Sequence, residues 1–324
     1  MRRAAALVIT ALLAVLALAA CGSSSSSSSA AADTYTKVTV TGDFNKAPKV
    51  TIPKETGSGS LYTKTLIQGT GTTFSSTSTQ ALIGNYIAYD WSGTTSKELG
   101  SSYTVGTPSV FAGNLLTGLQ KALVGQKLGS RVLAVIPPAQ AFGTAGNTSD
   151  DIGKSDTLVF VVDMLSTFAP NLSAKQTSSS GGKLPTVTPA TKANTSPTIK
   201  IPAKVTAPKT LQSQVLIKGT GAKVKADQYV AVQYTGVNWR TGSVFDSSWS
   251  DGAPFGFVIG ASPTQVIPGW NTGLLGKAVG SRIMLSIPPK DGYGSTGNSQ
   301  AGIKGTDTLV FVIDILGAYS PQAS

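Results

Sequence analysis

The chain has 324 residues, with 26 Lys and Arg against 15 Asp and Glu, and a formal net charge of +11 at pH 7. One cysteine and no histidine exclude an internal disulfide, a Ser-His triad and the usual zinc or transition-metal sites. The lysines are scattered and no basic cluster is interleaved with aromatic residues, so nucleic-acid binding is not expected. Any catalysis must therefore use shape, dipoles, carboxylates or tyrosines, and no cofactor is predicted.

The first 36 residues indicate export. Arg2 and Arg3 precede an apolar run through residue 20 in which Thr10 is the one polar residue, and this pattern is typical of a secretory signal. The run ends in LAAC at 18–21, like a bacterial lipobox, so Cys21 is predicted to carry the lipid; the alternative is an ordinary signal peptide with a chance cysteine. Residues 21–36 contain a serine run and are predicted to be a stalk. The sequence thus predicts an extracytoplasmic protein, lipid-anchored to the cell membrane.

Residues 37–169 and 210–320 are predicted to be two copies of one domain. LIQGTG at 66–71 matches LIKGTG at 216–221, and DTLVFVVD at 156–163 matches DTLVFVID at 307–314. The stretch between them, 170–209, is rich in Ser, Thr, Pro and Lys and is predicted to be a linker that ends in a lead-in strand. Short β-branched strands and one credible helix per repeat predict an α+β fold, with an antiparallel β-sheet curled around one short α-helix.

The helix of the second repeat is predicted to start in VIPGW at 266–270. Pro268 suits the first helical position, because its φ is preset and its missing N–H has no intrahelical partner there. Trp270, Leu274 and Leu275 then recur at helical spacing and form an apolar face. Taken alone, Trp270 is a core residue on this face.

The neighbours of this helix form an ordered set of segments. They are YVAVQY at 229–234, FDSS at 245–248, PFGF at 254–257, GSR at 280–282, the strand 283–288, DGYG at 291–294 and TLVFVID at 308–314. In this order and spacing, residues 213–318 resemble the FKBP-type peptidyl-prolyl cis-trans isomerase domain.

The resemblance implies a set of site residues. The substrate-binding positions are Tyr234, Phe245, Phe255, Val266, Ile267, Trp270, Tyr293, Ile303 and Phe311, and the catalytic positions are Asp246, Tyr293, Trp270 and Phe311. Trp270 would lie under the proline ring, and the Tyr293 hydroxyl and the Ile267 N–H would each donate to a substrate carbonyl. Asp246 would face the carbonyl that rotates.

Two of these roles have alternatives, and two positions depart from the family pattern. Asp246 could instead form an Asx-type turn with the serines that follow it, and Tyr293 could be a loop tyrosine that rests on the core. Gln265 replaces the usual Glu ahead of Val266, and Asp251 stands where a basic residue often pairs with the site aspartate.

The first repeat is predicted to keep the scaffold without the pocket. Aligned on the same landmarks, it has Trp91 for Tyr234, Leu99-Gly100 for Phe245-Asp246, Leu119 for Trp270 and Phe142 for Tyr293. Its segment from Pro108 to Gly118 is also five residues shorter than the counterpart from Pro254 to Gly269.

The function predicted from the resemblance is prolyl isomerisation by the second domain, on X-Pro-containing exported polypeptides whose folding it would assist. Macrolide ligands such as rapamycin are expected to occupy the same pocket. A non-catalytic chaperone or interaction lipoprotein that holds Pro-containing segments is the alternative. Two small repeats without a hinge architecture make a solute-capture lipoprotein a poor third interpretation.

Overall fold

The computed structural model describes residues 33–75, 79–113, 115–192 and 194–320. The predicted signal peptide, the lipidation at Cys21 and most of the serine-rich stalk lie outside these residues. The chain divides into two units, one built mainly from residues 33–75 and 84–165 and the other mainly from residues 166–320. Each unit contains one of the two predicted repeats.

The first domain is a six-stranded sheet with two short helices, preceded by a small hairpin. Its sheet order is β3-β7-β8-β4-β5, and β6 also pairs with β4. The elements are β1 Thr39–Thr41, β2 Lys49–Thr51, β3 Tyr62–Ile67, β4 Ala81–Ser92, β5 Thr95–Ser101, α1 Ser102–Val105, β6 Ser109–Phe111, α2 Thr117–Leu123, β7 Arg131–Ile136 and β8 Thr157–Phe168.

The second domain repeats this arrangement. Its sheet order is β11-β15-β16-β12-β13, and β14 also pairs with β12. The elements are β9 Thr186–Thr188, β10 Thr198–Lys200, β11 Gln212–Ile217, β12 Tyr229–Asn238, β13 Val244–Ser247, α3 Ser248–Asp251, β14 Phe255–Val258, α4 Pro268–Leu274, β15 Arg282–Ile287 and β16 Leu309–Tyr319. The shared strand order confirms the predicted duplication and the α+β fold class.

Helix α4 begins at Pro268, as predicted, and lies directly on β15. Glycines make this close approach feasible: a Cβ at Gly269 would lie 2.6 Å from Ile287 Cγ2, and one at Gly273 would lie 2.6 Å from Leu285 Cδ1. Both distances are shorter than real Cβ contacts, so larger residues would force the helix off the sheet. The close approach buries Trp270 against the sheet completely.

The inner and outer faces of the second sheet follow the two-residue period of its strands. Phe311 and Ile313 of β16 belong to the core cluster around Trp270, whereas Val310 and Val312 face the other side. That outer side is covered by Val187 and Ile199.

These two covering residues belong to β9 and β10, which pair as an antiparallel hairpin. Residues 170–209 were predicted to be a linker that ends in a lead-in strand; β10 lies at the end of this stretch, and its hairpin with β9 packs on the second domain. In the first domain, β1 and β2 form the same kind of hairpin, and Val40 and Val50 pack against the cluster on the outer face of that sheet.

The arginine of the repeated Gly-Ser-Arg motif pairs with an aspartate of the last strand in both domains, Arg131 with Asp163 and Arg282 with Asp314. Arg131 and Asp163 face each other in register on β7 and β8 and form a fully buried ion pair of 2.7 Å. Arg131 also donates to the Gly42 and Lys46 carbonyl oxygens, at 2.9 and 2.6 Å, in the β1–β2 hairpin. A buried ion pair needs such additional hydrogen bonds to offset desolvation. The arginine thus fastens the hairpin to its sheet.

Candidate functional site

The site of the second domain is built around Trp270, which projects from α4 toward the inner face of the sheet. Rings from three strands meet it edge-on. The centroid of Trp270 lies 5.0 Å from Tyr234, 5.2 Å from Phe311 and 5.6 Å from Phe257, with interplanar angles of 79°, 87° and 65°. Edge-to-face pairs of this kind contribute about 0.5–1.5 kcal/mol each beyond their buried area. The indole is therefore held in one orientation as a rigid apolar floor.

Asp246 lies on β13, directly opposite Gly236 of β12. The Tyr234 hydroxyl donates a 2.6 Å hydrogen bond to Asp246 Oδ2. The structure thus directs Asp246 toward the aromatic cluster.

A glycine makes room for the aromatic wall beside Asp246. A Cβ at Gly236 would lie 2.6 Å from Phe245 Cζ and 2.8 Å from Phe311 Cε1, so any side chain there would displace these rings. Phe245 and Phe311 meet edge-on at 5.5 Å. Phe245, Phe255 and Tyr293 are only partly buried and pack at the margin of the cluster. They form the rim above the buried floor.

Tyr293 precedes the 3-10 helix Gly294–Thr296 and is half-buried. Burial raises the pKa of Tyr293, a hydrogen bond with Asn298 partly offsets this, and the nearby charge of Asp246 raises the pKa further. Tyr293 packs against the core, as the alternative interpretation of a loop tyrosine expected. It also lies close enough to Asp246 for the carboxylate charge to affect its pKa. A raised pKa keeps the phenol protonated, and hence a hydrogen-bond donor, at neutral pH.

The remaining predicted positions close the apolar wall. Val266, Ile267 and Ile303 are buried in the cluster that contains Trp270. Within the described part of the chain, the Ile267 N–H has no acceptor, which leaves it available to a ligand. Gln265, the departure from the family pattern, accepts a 2.8 Å hydrogen bond from the Val258 N–H and so ties this wall to β14. All nine predicted binding positions therefore meet in one cluster.

Sequence reasoning missed two contributors. Phe257 contacts Trp270 and stacks on Phe255 at 5.8 Å; its aromatic neighbour in PFGF was the available signal. Thr264 donates a 2.6 Å hydrogen bond to the Val266 carbonyl oxygen, a contact for which the sequence carries no signal.

One assignment that the sequence alignment made in the first domain does not agree with the structure. Ser102 Oγ accepts a 2.8 Å hydrogen bond from the Tyr86 N–H, as Ser248 Oγ accepts one of the same length from Tyr234. Tyr86 is therefore the counterpart of Tyr234, and the assignment of Trp91 to that position was wrong.

Trp91 corresponds instead to Trp239, five residues beyond Tyr234. Both indoles donate to carbonyl oxygens of the segment ahead of their own domain, Trp91 to Glu55 at 2.9 Å and Trp239 to Val205 at 3.3 Å. Because strand side chains alternate, an odd offset moves a residue to the opposite face of the sheet. Trp91 is thus part of the outer cluster.

The other three assignments agree with the structure. Gly100 pairs with Ala88 as Asp246 pairs with Gly236, Leu119 lies on α2, and Phe142 precedes a 3-10 helix as Tyr293 does. A Cβ at Gly100 would lie 3.5 Å from the Tyr86 hydroxyl, where Asp246 binds Tyr234 in the second domain. The first domain keeps this tyrosine and lacks the carboxylate, the indole and the second phenol.

The described residues lack a metal-binding cluster and a membrane-spanning helix. No group of three side chains suited to a metal ion occurs among them. None of the helices in the same part of the chain is long and apolar enough to cross a membrane.

Comparison with known proteins identifies the family of the two domains. The family model described as FKBP-type peptidyl-prolyl cis-trans isomerase matches residues 77–165 and 220–316. An FK506-binding protein of Streptomyces anulatus is 42% identical over 99 residues, which are 31% of this chain and 78% of that protein. A probable FK506-binding protein of Corynebacterium glutamicum is 38% identical over 122 residues, 38% of this chain and 98% of that protein. The crystal structure of FkpA from Escherichia coli matches with 36% sequence identity and a TM-score of 0.31. The match covers 34% of this chain and 48% of the FkpA chain.

Both domains share one fold, and the family model covers more than half of the chain, with one matched stretch in each domain. The chain belongs to the FKBP-type peptidyl-prolyl cis-trans isomerase family. It is a tandem member, because both of its domains match the model separately.

Proposed function

We propose that the second domain carries the isomerase activity and that the first does not. The observation that supports this most directly is the Trp270 floor with the Tyr234–Asp246 hydrogen bond at its side, both present in the second domain. The first domain has Leu119 and Gly100 at the same places. Leu119 offers a substrate less apolar wall than the Trp270 indole does. Gly100 has no side chain and so supplies no negative charge in place of Asp246.

The proposed mechanism involves no covalent step. Rotation about an X-Pro bond has a barrier of about 18–20 kcal/mol, because the twisted amide loses resonance. The twisted state also has a smaller amide dipole, so a pocket that offers the carbonyl no water favours it over the planar state. Each 1.36 kcal/mol of that preference is worth tenfold in rate.

The polar groups hold the chain on either side of this bond. The Ile267 N–H and the Tyr293 hydroxyl donate to flanking substrate carbonyls, while the proline ring lies on Trp270. Asp246, oriented by the Tyr234 hydroxyl, faces the rotating carbonyl. A negative charge there disfavours the planar orientation in which the carbonyl oxygen points at it, and this helps the bond leave its planar minimum toward the twisted state.

The proposed substrates are X-Pro segments of exported polypeptides, and the proposed location is the outer side of the cell membrane, with Cys21 lipidated. The apolar run, the LAAC sequence at 18–21 and the serine-rich stalk support this location. Macrolide binding is proposed from the aromatic pocket and from the printed names of two relatives, which describe them as FK506-binding.

A protease-free isomerisation assay on a short X-Pro peptide tests the assignment in the full chain. Trp270→Leu, which copies the first domain, is expected to abolish most turnover, whereas Leu119→Ala on the equivalent helix should leave turnover unchanged. Near-normal turnover by Trp270→Leu, with its circular dichroism preserved, would place the activity elsewhere.

The first domain favours a second, non-catalytic role. It keeps Tyr86 in edge contact with Phe111 at 5.9 Å and close to Phe160 at 6.4 Å, so its aromatic core persists without the polar groups of the second site. These three rings are buried, so a Pro-containing segment would contact them only at their margin. Saturable peptide binding that survives in Trp270→Leu without turnover would support it.

A further inference from the structure

We propose that the β9–β10 hairpin segment, residues 170–209, docks the protein on an anionic phospholipid surface. The charge of the chain is divided unequally between its domains. Residues 170–320 contain 14 Lys and Arg against 6 Asp and Glu, whereas residues 33–169 contain 10 against 9. Nearly all of the net positive charge outside the first 32 residues therefore belongs to the second domain and its hairpin segment.

The hairpin segment itself contains no acidic residue. Its six lysines are all exposed: Lys175, Lys183, Lys192, Lys200, Lys204 and Lys209. Among the described residues, no carboxylate forms an ion pair with any of them. Two of the six acidic residues of the second domain, Asp307 and Asp314, are already paired with arginines. The lysines thus retain their full charge toward an external partner.

The hairpin presents charge outward because its apolar residues face the sheet. Ile199 packs with Val310 and Val312 on the outer face. Lys200 follows it on β10, and alternation along the strand turns its side chain away from the sheet. Val187 occupies the inward position on β9 in the same way, with threonines on either side. The result is an apolar underside and a basic, hydroxyl-rich outer surface.

The equivalent hairpin of the first domain differs in charge, although it packs in the same way. Residues 33–57 contain four lysines together with Asp33, Asp43 and Glu55. One of these lysines, Lys37, forms a 2.7 Å ion pair with Glu55. A hairpin on the outer face therefore does not itself require six unpaired lysines. The basic composition is a separate feature of the second domain.

Anionic lipid is the partner class that best fits this surface. Lysine is a compact, strongly hydrated charge on a flexible stem, which suits a fluid layer of phosphate headgroups better than a single oriented ligand. Juxtamembrane polybasic segments bind such layers with about fivefold affinity for each lysine near the surface. The predicted lipid anchor at Cys21 would keep the segment at a high local concentration beside the membrane.

The proposed docking side has a consequence for the site, which rests on the proposed function of the second domain. Trp270 lies on the inner face of the sheet and Ile199 covers the outer face. A domain held through its hairpin would therefore keep the peptide site turned away from the lipid and open to substrate.

Vesicle co-sedimentation tests the proposal with the chain from residue 22 onward, which retains every described residue and carries no acyl group. At about 0.1 M salt, binding is expected to vesicles containing phosphatidylglycerol and not to pure phosphatidylcholine, and it should weaken strongly at 0.5 M salt. The triple variant Lys183→Gln, Lys200→Gln, Lys204→Gln should bind about 100-fold more weakly.

The matched control removes the same number of charges from the first hairpin, with Lys46→Gln, Lys49→Gln and Lys54→Gln. It should bind within about threefold of the unaltered chain. Equal losses of vesicle affinity in the two triple variants would show that only the net charge of the protein matters. That result would overturn the assignment of the docking surface to residues 170–209. Binding to phosphatidylcholine, or displacement from vesicles by equimolar polyphosphate, would overturn the choice of lipid as partner.

Isomerase turnover provides an independent readout. The Lys183/Lys200/Lys204 variant should keep the turnover of the unaltered chain in solution, and added phosphatidylglycerol vesicles should not inhibit the unaltered chain. Inhibition by vesicles would contradict the outward orientation of the site. Trp270→Leu should lose turnover and keep vesicle binding, so the two proposals can fail separately.

Discussion

Asp90 of the first domain provides a stability test whose sign can be derived from the structure. Its side chain is 6% exposed, and within the described residues its Oδ1 has no hydrogen-bond partner. Burial raises the pKa of Asp90 to about 6, the charges of Asp156 and Asp151 raise it as well, and Lys97 lowers it. The second domain has Asn238 at this position, where it donates a 2.7 Å hydrogen bond to Asp307.

The perturbation is Asp90→Asn, which copies the second domain. An unfolded Asp loses its proton near pH 3.8, whereas the folded domain retains it until about pH 6. Between these values the folded state binds more protons, so its stability falls as the pH rises and levels off above about pH 6. Two pKa units correspond to about 3 kcal/mol, which partial solvent screening reduces to about 1–2 kcal/mol.

We therefore expect Asp90→Asn to raise the unfolding free energy of the first domain by about 1–2 kcal/mol at pH 7.5. The stability gain should shrink toward zero near pH 4, because Asp90 in the folded, unaltered domain is then protonated and as uncharged as asparagine. Hydrogen exchange in urea, measured on peptides from β8 for the first domain and from β16 for the second, separates the two domains in the full chain. Unchanged protection of β16 is the control.

Two results would refute this reasoning. One is a stability gain of equal size at pH 4 and pH 7.5, because the effect would then have no link to the proton on Asp90. The other is a loss of stability at pH 7.5. The reciprocal change Asn238→Asp should destabilise the second domain at pH 7.5, since it adds a carboxylate beside Asp307.

Three further predictions concern the fold, the location and the chemistry. Arg131→Ala should destabilise the first domain by about 3–5 kcal/mol in denaturant unfolding, because it leaves a buried aspartate unpaired; Lys97→Ala, which removes an exposed ion pair, should cost less than about 1 kcal/mol. Cys21→Ala should shift the protein from the membrane fraction to a soluble or unprocessed pool, and unchanged partition would remove the lipoprotein interpretation. Turnover should vary little between about pH 6 and 8, because the raised pKa of Tyr293 keeps its phenol protonated and the chain has no histidine; a steep bell-shaped profile would contradict a mechanism of apolar walls and fixed donors.

The sequence by itself determined what depends on local pattern and on ordered motifs. Pro268 predicted the start of α4 correctly because its fixed φ acts within one turn. The matching segments of the two halves predicted two similar sheets. The resemblance of the second half to the FKBP-type isomerase domain identified the nine positions that the structure brings into one cluster, although their roles in binding and turnover stay predictions.

Tertiary structure decided which face of a sheet a residue occupies and what covers that face. The sequence alignment placed Trp91 at the site, but the hydrogen bond between Tyr86 and Ser102 fixes the register and moves Trp91 to the outer face. Residues 170–209 were predicted to be a linker that ends in a lead-in strand, because they are rich in Ser, Thr, Pro and Lys. Only a few apolar side chains, Val187 and Ile199 among them, reach the sheet, and they do so because strands distant in sequence present complementary surface. Such non-local contacts leave no periodic trace in the segment itself, so composition could not reveal them.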